Sequence, residues 1–124
     1  GDWLLVESAL TRGRLMGVLG AKVMPGETAD ALFLTGIFSC LDKLLRRPLV
    51  QLVDEVPLST EVRSALIERS GPYAGLLNLA VAAEAMDFAS MEKAAKALNT
   101  TADCANHALL AATAWASEVS EHWE

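Results

Sequence analysis

Few of the residue types that build strands, staples or membrane anchors occur in this sequence of 124 residues. Aromatics make up only 6% of it, and β-branched residues nowhere alternate with polar ones over a strand's length, which argues against a sheet. The two cysteines, Cys40 and Cys104, sit among apolar neighbours without metal-ligand spacing, as reduced thiols of a cytoplasmic protein do. Basic charge is scarce: 10 Lys and Arg face 16 Asp and Glu. The resulting net charge of -6 repels phosphate backbones and points away from nucleic acid. The longest uncharged stretches, 70–83 and 104–117, fall short of the ~18 to 20 apolar residues a membrane span needs. No basic, apolar, small-residue signal opens the chain, so neither a membrane nor a secretory route is expected. The chain begins at Gly1 instead of a methionine, from which a piece of a longer protein is expected.

What is present favours helix. The hydrophobic fraction is 52%, supplied chiefly by alanine and leucine, both strong helix formers. One all-α domain, a compact multi-helix bundle over residues 1–124, is expected. Punctuation divides it. The first helix spans 3 to about 19, ended by Gly20 and the Pro25-Gly26 turn; the second spans 28 to 45, with Thr28 as N-cap and Asp30 in its first turn. Pro48 opens a short helix to about Asp54. Ser59 caps the next, with Val62, Ala65 and Leu66 on one face. A nearly uncharged helix follows Gly71-Pro72 to about Met86, and Phe88, Met91, Ala95 and Leu98 mark another. Thr100-Thr101 caps the last, where Ala105, Ala108, Leu109, Ala112, Trp115, Val119 and Trp123 form a stripe. Trp115 and Trp123 could pack internally or against a partner chain; the first is expected in the core and the second as a contact made available by the boundary of the fragment. Gly13 and Gly17 mark a close helix crossing.

The segment 31–45 is the most informative. Leu34, Ile37, Phe38, Leu41, Leu44 and Leu45 make one apolar face, leaving a polar stripe of Thr35, Ser39, Asp42 and Arg46. Such a pattern predicts a helix surrounded on most sides, at the centre of the bundle, with the stripe as a hydrogen-bonded seam, a sliver of surface or the wall of a small-ligand pocket. The basic residues Arg12, Arg14, Arg46 and Arg47 are expected to pair with neighbouring acids.

The run Ala31-Leu-Phe-Leu-Thr-Gly-Ile-Phe-Ser-Cys-Leu-Asp-Lys-Leu-Leu45 resembles the HDOD domain, the HD-related output domain of bacterial signalling proteins, in the version that follows EAL domains. Val56-Pro-Leu-Ser59 with Val62 and Ala65-Leu66 is similar to the family's next helix, and Gly71-Pro72 with Gly75-Leu-Leu77 to the one after. Glu84 and Asp87 match the acidic pair closing that helix. Ala9-Leu10 with Arg12 and Arg14 resembles the family's Arg-containing helix, although Gly13 stands where alanine is expected. The resemblance covers roughly 10–115 and implies the C-terminal part of a larger HDOD region.

The resemblance also implies a chemical test. In HD-superfamily phosphohydrolases the corresponding helix carries adjacent His and Asp that bind a divalent metal, which activates water and polarises the phosphate. Here Gly36-Ile37-Phe38 is followed by Ser39-Cys40, and no histidine precedes His107. Serine is a poor ligand, and a thiol does not replace a hard carboxylate. No catalytic residue, metal or cofactor is therefore expected. His107 with Asp103 and His122 with Glu118 lie at i, i+4 but read as a solvated face. Asp42 with Glu84 as an acid–base pair does not rise above chance. The expected function is a non-catalytic regulatory output domain in cyclic-di-GMP signalling. It would contact a protein partner, an attached EAL domain or a second copy of itself. The alternative is a small-ligand sensor with a vestigial pocket at Thr35, Ser39 and Asp42.

Overall fold

The computed structural model describes residues 2–26 and 29–122, which form seven α-helices and, among the described residues, no strand. They are α1 (Asp2–Val23), α2 (Ala29–Leu45), α3 (Leu49–Asp54), α4 (Thr60–Arg63), α5 (Ala74–Glu84), α6 (Phe88–Ala97) and α7 (Ala102–His122). The all-α bundle read from the sequence is the fold found. Thr28 and Trp123, expected as a cap and a contact, lie outside the described residues, as does Gly1.

Local chemistry sets the helix ends. Ser59 Oγ accepts from the Val62 amide at 3.3 Å, Asp87 Oδ1 from the Ser90 amide at 3.2 Å, and Thr101 Oγ1 from the Cys104 amide at 3.1 Å. Each satisfies an N–H that has no partner inside its helix. Beyond α4 the backbone widens into a π-helical turn, Ser64–Glu68, which closes at Arg69 in the left-handed region (φ 51°). Nothing in the periodicity of this stretch signals the π turn.

The core centres on α1 and α5. Leu15, Met16 and Leu19 of α1 and Leu76, Leu77, Leu79 and Ala80 of α5 are fully buried. Each leucine contributes about 1.5–3 kcal/mol by leaving water. Helix α7 lies on α1 through Ala105, Ala108, Ala112 and Ala116, small side chains that let the two axes approach. Trp115 is not in that core. It is half-buried at the edge, where its ring meets Phe33 edge-on (centroids 6.1 Å apart) and carries the Arg14 guanidinium 5.1 Å above it.

Three further expectations need correction. Gly20 does not end α1, which runs a turn further to Val23; its bare Cα is where Leu32 packs against the helix. Nor is α2 enclosed at the bundle centre. Only Leu32, Thr35 and Gly36 of it are buried, whereas Leu34 is 41% and Leu45 50% exposed. Its small and polar side faces inward because α1 crosses it at contact distance. A Cβ on Gly36 would lie 2.6 Å from the Gly13 Cα and 2.7 Å from the Arg12 carbonyl oxygen. Only a pair of glycines permits that approach. Gly17 has nothing near it, so the close crossing pairs Gly13 with Gly36 and does not use Gly17.

Candidate functional site

Beside the glycine crossing, α1, α2 and α5 bring together the residues that the sequence singled out. Arg12 projects from α1 between the other two helices. Its Nε donates to Glu84 Oε2 at 2.8 Å and one terminal nitrogen to Glu84 Oε1 at 3.3 Å, a two-pronged pairing with the last residue of α5. Its other terminal nitrogen donates to Ser39 Oγ at 3.1 Å. Ser39 Oγ in turn donates to the Gly36 carbonyl at 2.7 Å. Arg12 and Glu84 are four-fifths buried. Burial alone would lower the guanidinium's pKa, but the hydrogen bond and charge of Glu84 outweigh it and hold Arg12 above its ordinary range. Arg12 thus keeps its charge at any ordinary pH, and its hydrogen bonds to Glu84 and Ser39 tie three helices together.

Cys40, next to Ser39, is half-buried, its sulfur 3.9 Å from Ser39 Oγ. Burial pushes the thiol up, and the nearby Arg12 charge and Ser39 hydrogen bond do not compensate. It is therefore a protonated thiol at neutral pH.

The remaining stripe residues do not converge on one pocket. Thr35 is wholly buried, its hydroxyl donating to the Ala31 carbonyl at 2.8 Å. Asp42 Oδ1 accepts from the Lys43 amide at 2.9 Å. Arg46 stands exposed just past the end of α2, in the left-handed region (φ 55°). Glu84 pairs with Arg12, not with Asp42. Arg47 pairs locally with Glu55 at 2.7 Å, as expected, whereas Arg14 stacks on Trp115. His107 and His122 are exposed, and among the described residues no three His, Cys, Asp or Glu side chains gather as a metal site.

A divalent ion of the HD type does not fit the residues at Ser39-Cys40. The hydroxyl there is engaged by a guanidinium, and a fixed positive charge at hydrogen-bond distance opposes a metal cation. A groove of about 440 Å³ opens on the other side of Glu84, between α1 and α7, lined by Glu7, Ser8, Thr11, Leu109 and Thr113 among others. No local pattern points to it, because its walls come from residues about 100 positions apart.

The second feature is a surface. Leu34 and Leu45 are exposed on the outer side of α2, with half-buried Ile37, Phe38, Leu41 and Leu44 between them. Val50 and Val56 expose further apolar area on the segment that follows. The sequence identified these residues as one face but placed the face inside.

With this geometry in place, the comparisons with known proteins become informative. The chain is 35% identical over 88 residues to the cyclic di-GMP phosphodiesterase CdgJ of Vibrio cholerae; the match covers 71% of this chain and 20% of that protein. It is 33% identical over 75 residues to the uncharacterized protein YuxH of Bacillus subtilis, covering 60% of this chain and 18% of that one. The chain thus spans about a fifth of the length of these relatives. No protein-family model matches it, and no solved structure matches significantly. No helix among the described residues is long and apolar enough to cross a membrane.

Proposed function

We propose that this chain is a non-catalytic regulatory domain of the HDOD type, acting through protein contacts in cyclic di-GMP-linked signalling. Its sequence similarity to a segment of a cyclic di-GMP phosphodiesterase supports the signalling context. The observation that carries the non-catalytic reading is the guanidinium of Arg12, 3.1 Å from Ser39 Oγ. Where an HD enzyme needs a cation held by ligands, this chain puts a cation of its own, neutralised by Glu84. Every polar group of the cluster already has a partner within the fold, so the cluster fastens helices and has no group left for water activation. Exposed Leu34 and Leu45 on α2, with Val50 and Val56 beyond it, support the protein-contact reading, since apolar area left at the surface of a bundle is available for a contact.

Two experiments test this reading. In a parent protein that joins this segment to a cyclic di-GMP phosphodiesterase domain, removing the segment is expected to change hydrolysis, affinity or oligomeric state. No change in any of them would refute the regulatory role. For the non-catalytic half, the isolated chain supplied with Mn²⁺ or Mg²⁺ is expected to leave cyclic di-GMP intact. Turnover that disappears in Ser39→Ala would show a working phosphohydrolase site instead.

A further inference from the structure

Gly17 is a glycine that the packing of the chain leaves unexplained. In mid-helix a glycine costs stability relative to alanine, and at Gly13 the close crossing with Gly36 offsets that cost. At Gly17 nothing does: a Cβ there would meet no atom within 4 Å. The space beside it is a groove of about 330 Å³ between the second half of α1 and the start of α2. Arg14, Gly17, Val18 and Ala21 line it from α1, and Asp30 and Phe33 from α2. It shares no residue with the cluster of Arg12, Ser39 and Glu84.

The two charged groups of this groove are held apart. The Arg14 guanidinium lies 5.1 Å over the Trp115 ring, a contact that fixes the cation without a hydrogen-bond acceptor. Phe33 meets the same ring edge-on, so one tryptophan steadies a residue from each wall. Asp30 is exposed in the first turn of α2, and neither it nor Arg14 forms an ion pair among the described residues. A planar fork of N–H donors and a carboxylate thus line one groove unpaired, together with small side chains and an aromatic ring.

We infer that this groove binds a guanine base, a function beyond the protein-contact reading. Guanine presents two acceptors, O6 and N7, to an arginine fork, and on the adjacent edge two donors, N1–H and N2–H, to a carboxylate. The two edges point in different directions within the base plane, so groups from two helices suit them. Adenine lacks the N1–H and carries a donor where guanine has O6, so it fills neither contact fully. Bare Gly17 lets a flat ring approach the helix, and Phe33 offers that ring an aromatic flank. One guanidinium and one carboxylate leave the groove without net charge, which suits an uncharged base better than a free phosphate. A zwitterionic amino acid would need Arg14 and Asp30 near enough to pair with each other, and they do not pair.

Isothermal titration of the intact 124-residue chain with GMP, cyclic di-GMP and AMP tests the inference. Saturable binding of a guanine nucleotide is expected, about tenfold tighter than AMP, the factor that one two-pronged contact supplies. Whichever of GMP and cyclic di-GMP binds more tightly, the result supports the inference and tells a mononucleotide from a cyclic dinucleotide. Gly17→Leu fills the groove and is expected to abolish binding. Its urea midpoint should stay unchanged or rise, because the new side chain enters open space on a helix that it favours. Asp30→Asn should weaken guanine binding about tenfold and leave AMP unchanged, a selectivity that no folding defect would produce. No saturable binding of either guanine nucleotide, equal affinity for GMP and AMP, or binding indifferent to Gly17→Leu would overturn the inference. The titration uses no attached domain, so its failure leaves the regulatory reading standing, and a segment without effect on a phosphodiesterase leaves this groove untouched.

Discussion

The two sides of α2 invert the usual relation between polarity and burial. Inward lie Leu32, Thr35, Gly36 and Ser39; outward lie Leu34, Leu41 and Leu45. The inner side holds more polar atoms and less apolar volume, yet it is the one that is packed. Size decides this. Gly13 and Gly36 let α1 and α2 touch backbone to backbone, and at that distance a hydroxyl on α2 reaches its own helix carbonyls and the guanidinium from α1. Short polar side chains on a helix can satisfy themselves against the preceding turn, so burying Thr35 and Ser39 leaves no orphan donor. The outer leucines offer nothing comparable to α1 and stay towards the surface.

Breaking the inner side has the largest expected effect. Gly36→Ala drives a methyl into the Gly13 backbone, which cannot rotate away as a side chain would. A loss of about 3 kcal/mol, at the upper end for overpacking, is expected in urea unfolding. The next effect belongs to the ion pair. Glu84→Gln leaves Arg12 charged and mostly buried without its carboxylate, and a loss of roughly 2 kcal/mol is expected, below the figure for a fully buried pair. Replacing both partners, Arg12→Met with Glu84→Leu, should recover much of that loss. If the double variant is no more stable than Glu84→Gln, the pair contributes attraction beyond its desolvation cost.

A smaller, pH-dependent effect comes from Cys40. Its folded thiol ionises above the unfolded one because burial disfavours the thiolate. As pH rises through the ordinary thiol range the unfolded state loses its proton first, so stability falls with pH there. Cys40→Ala should flatten that alkaline decline, measured by urea midpoints on either side of the range. Smallest of all is the outer side: Leu34→Ser should change stability in urea unfolding by no more than about 0.5 kcal/mol.

Much of this architecture is legible in the sequence, for identifiable reasons. Caps at Ser59 and Thr101 and the breaks at Pro48 and Gly71-Pro72 are local chemistry, and they stand where they were read. The helical class follows from alanine and leucine content together with the lack of alternating β-branched residues. The orientation of α2 was misread because amphipathicity assumes that the apolar side is the buried one. Two glycines 23 positions apart carried the contrary information, and only their pairing in space gives it meaning. Gly20 misled for the same reason: a glycine that admits Leu32 resembles one that stops a helix. Arg12 with Glu84 was equally hidden, since a pair separated by 72 positions has no local signature. The Ser39-Cys40 substitution, in contrast, was visible from adjacent residues alone.

The central claim is that α2 packs its small polar side into its own bundle and leaves Leu34 at the surface. Thiol labelling at the neighbouring positions 34 and 35 tests it most directly. Cysteine is placed at each in turn by Leu34→Cys or Thr35→Cys, in a Cys40→Ala/Cys104→Ala background. Position 34 is expected to label rapidly, while position 35 stays protected. Rapid labelling at position 35, with position 34 shielded, would contradict the account.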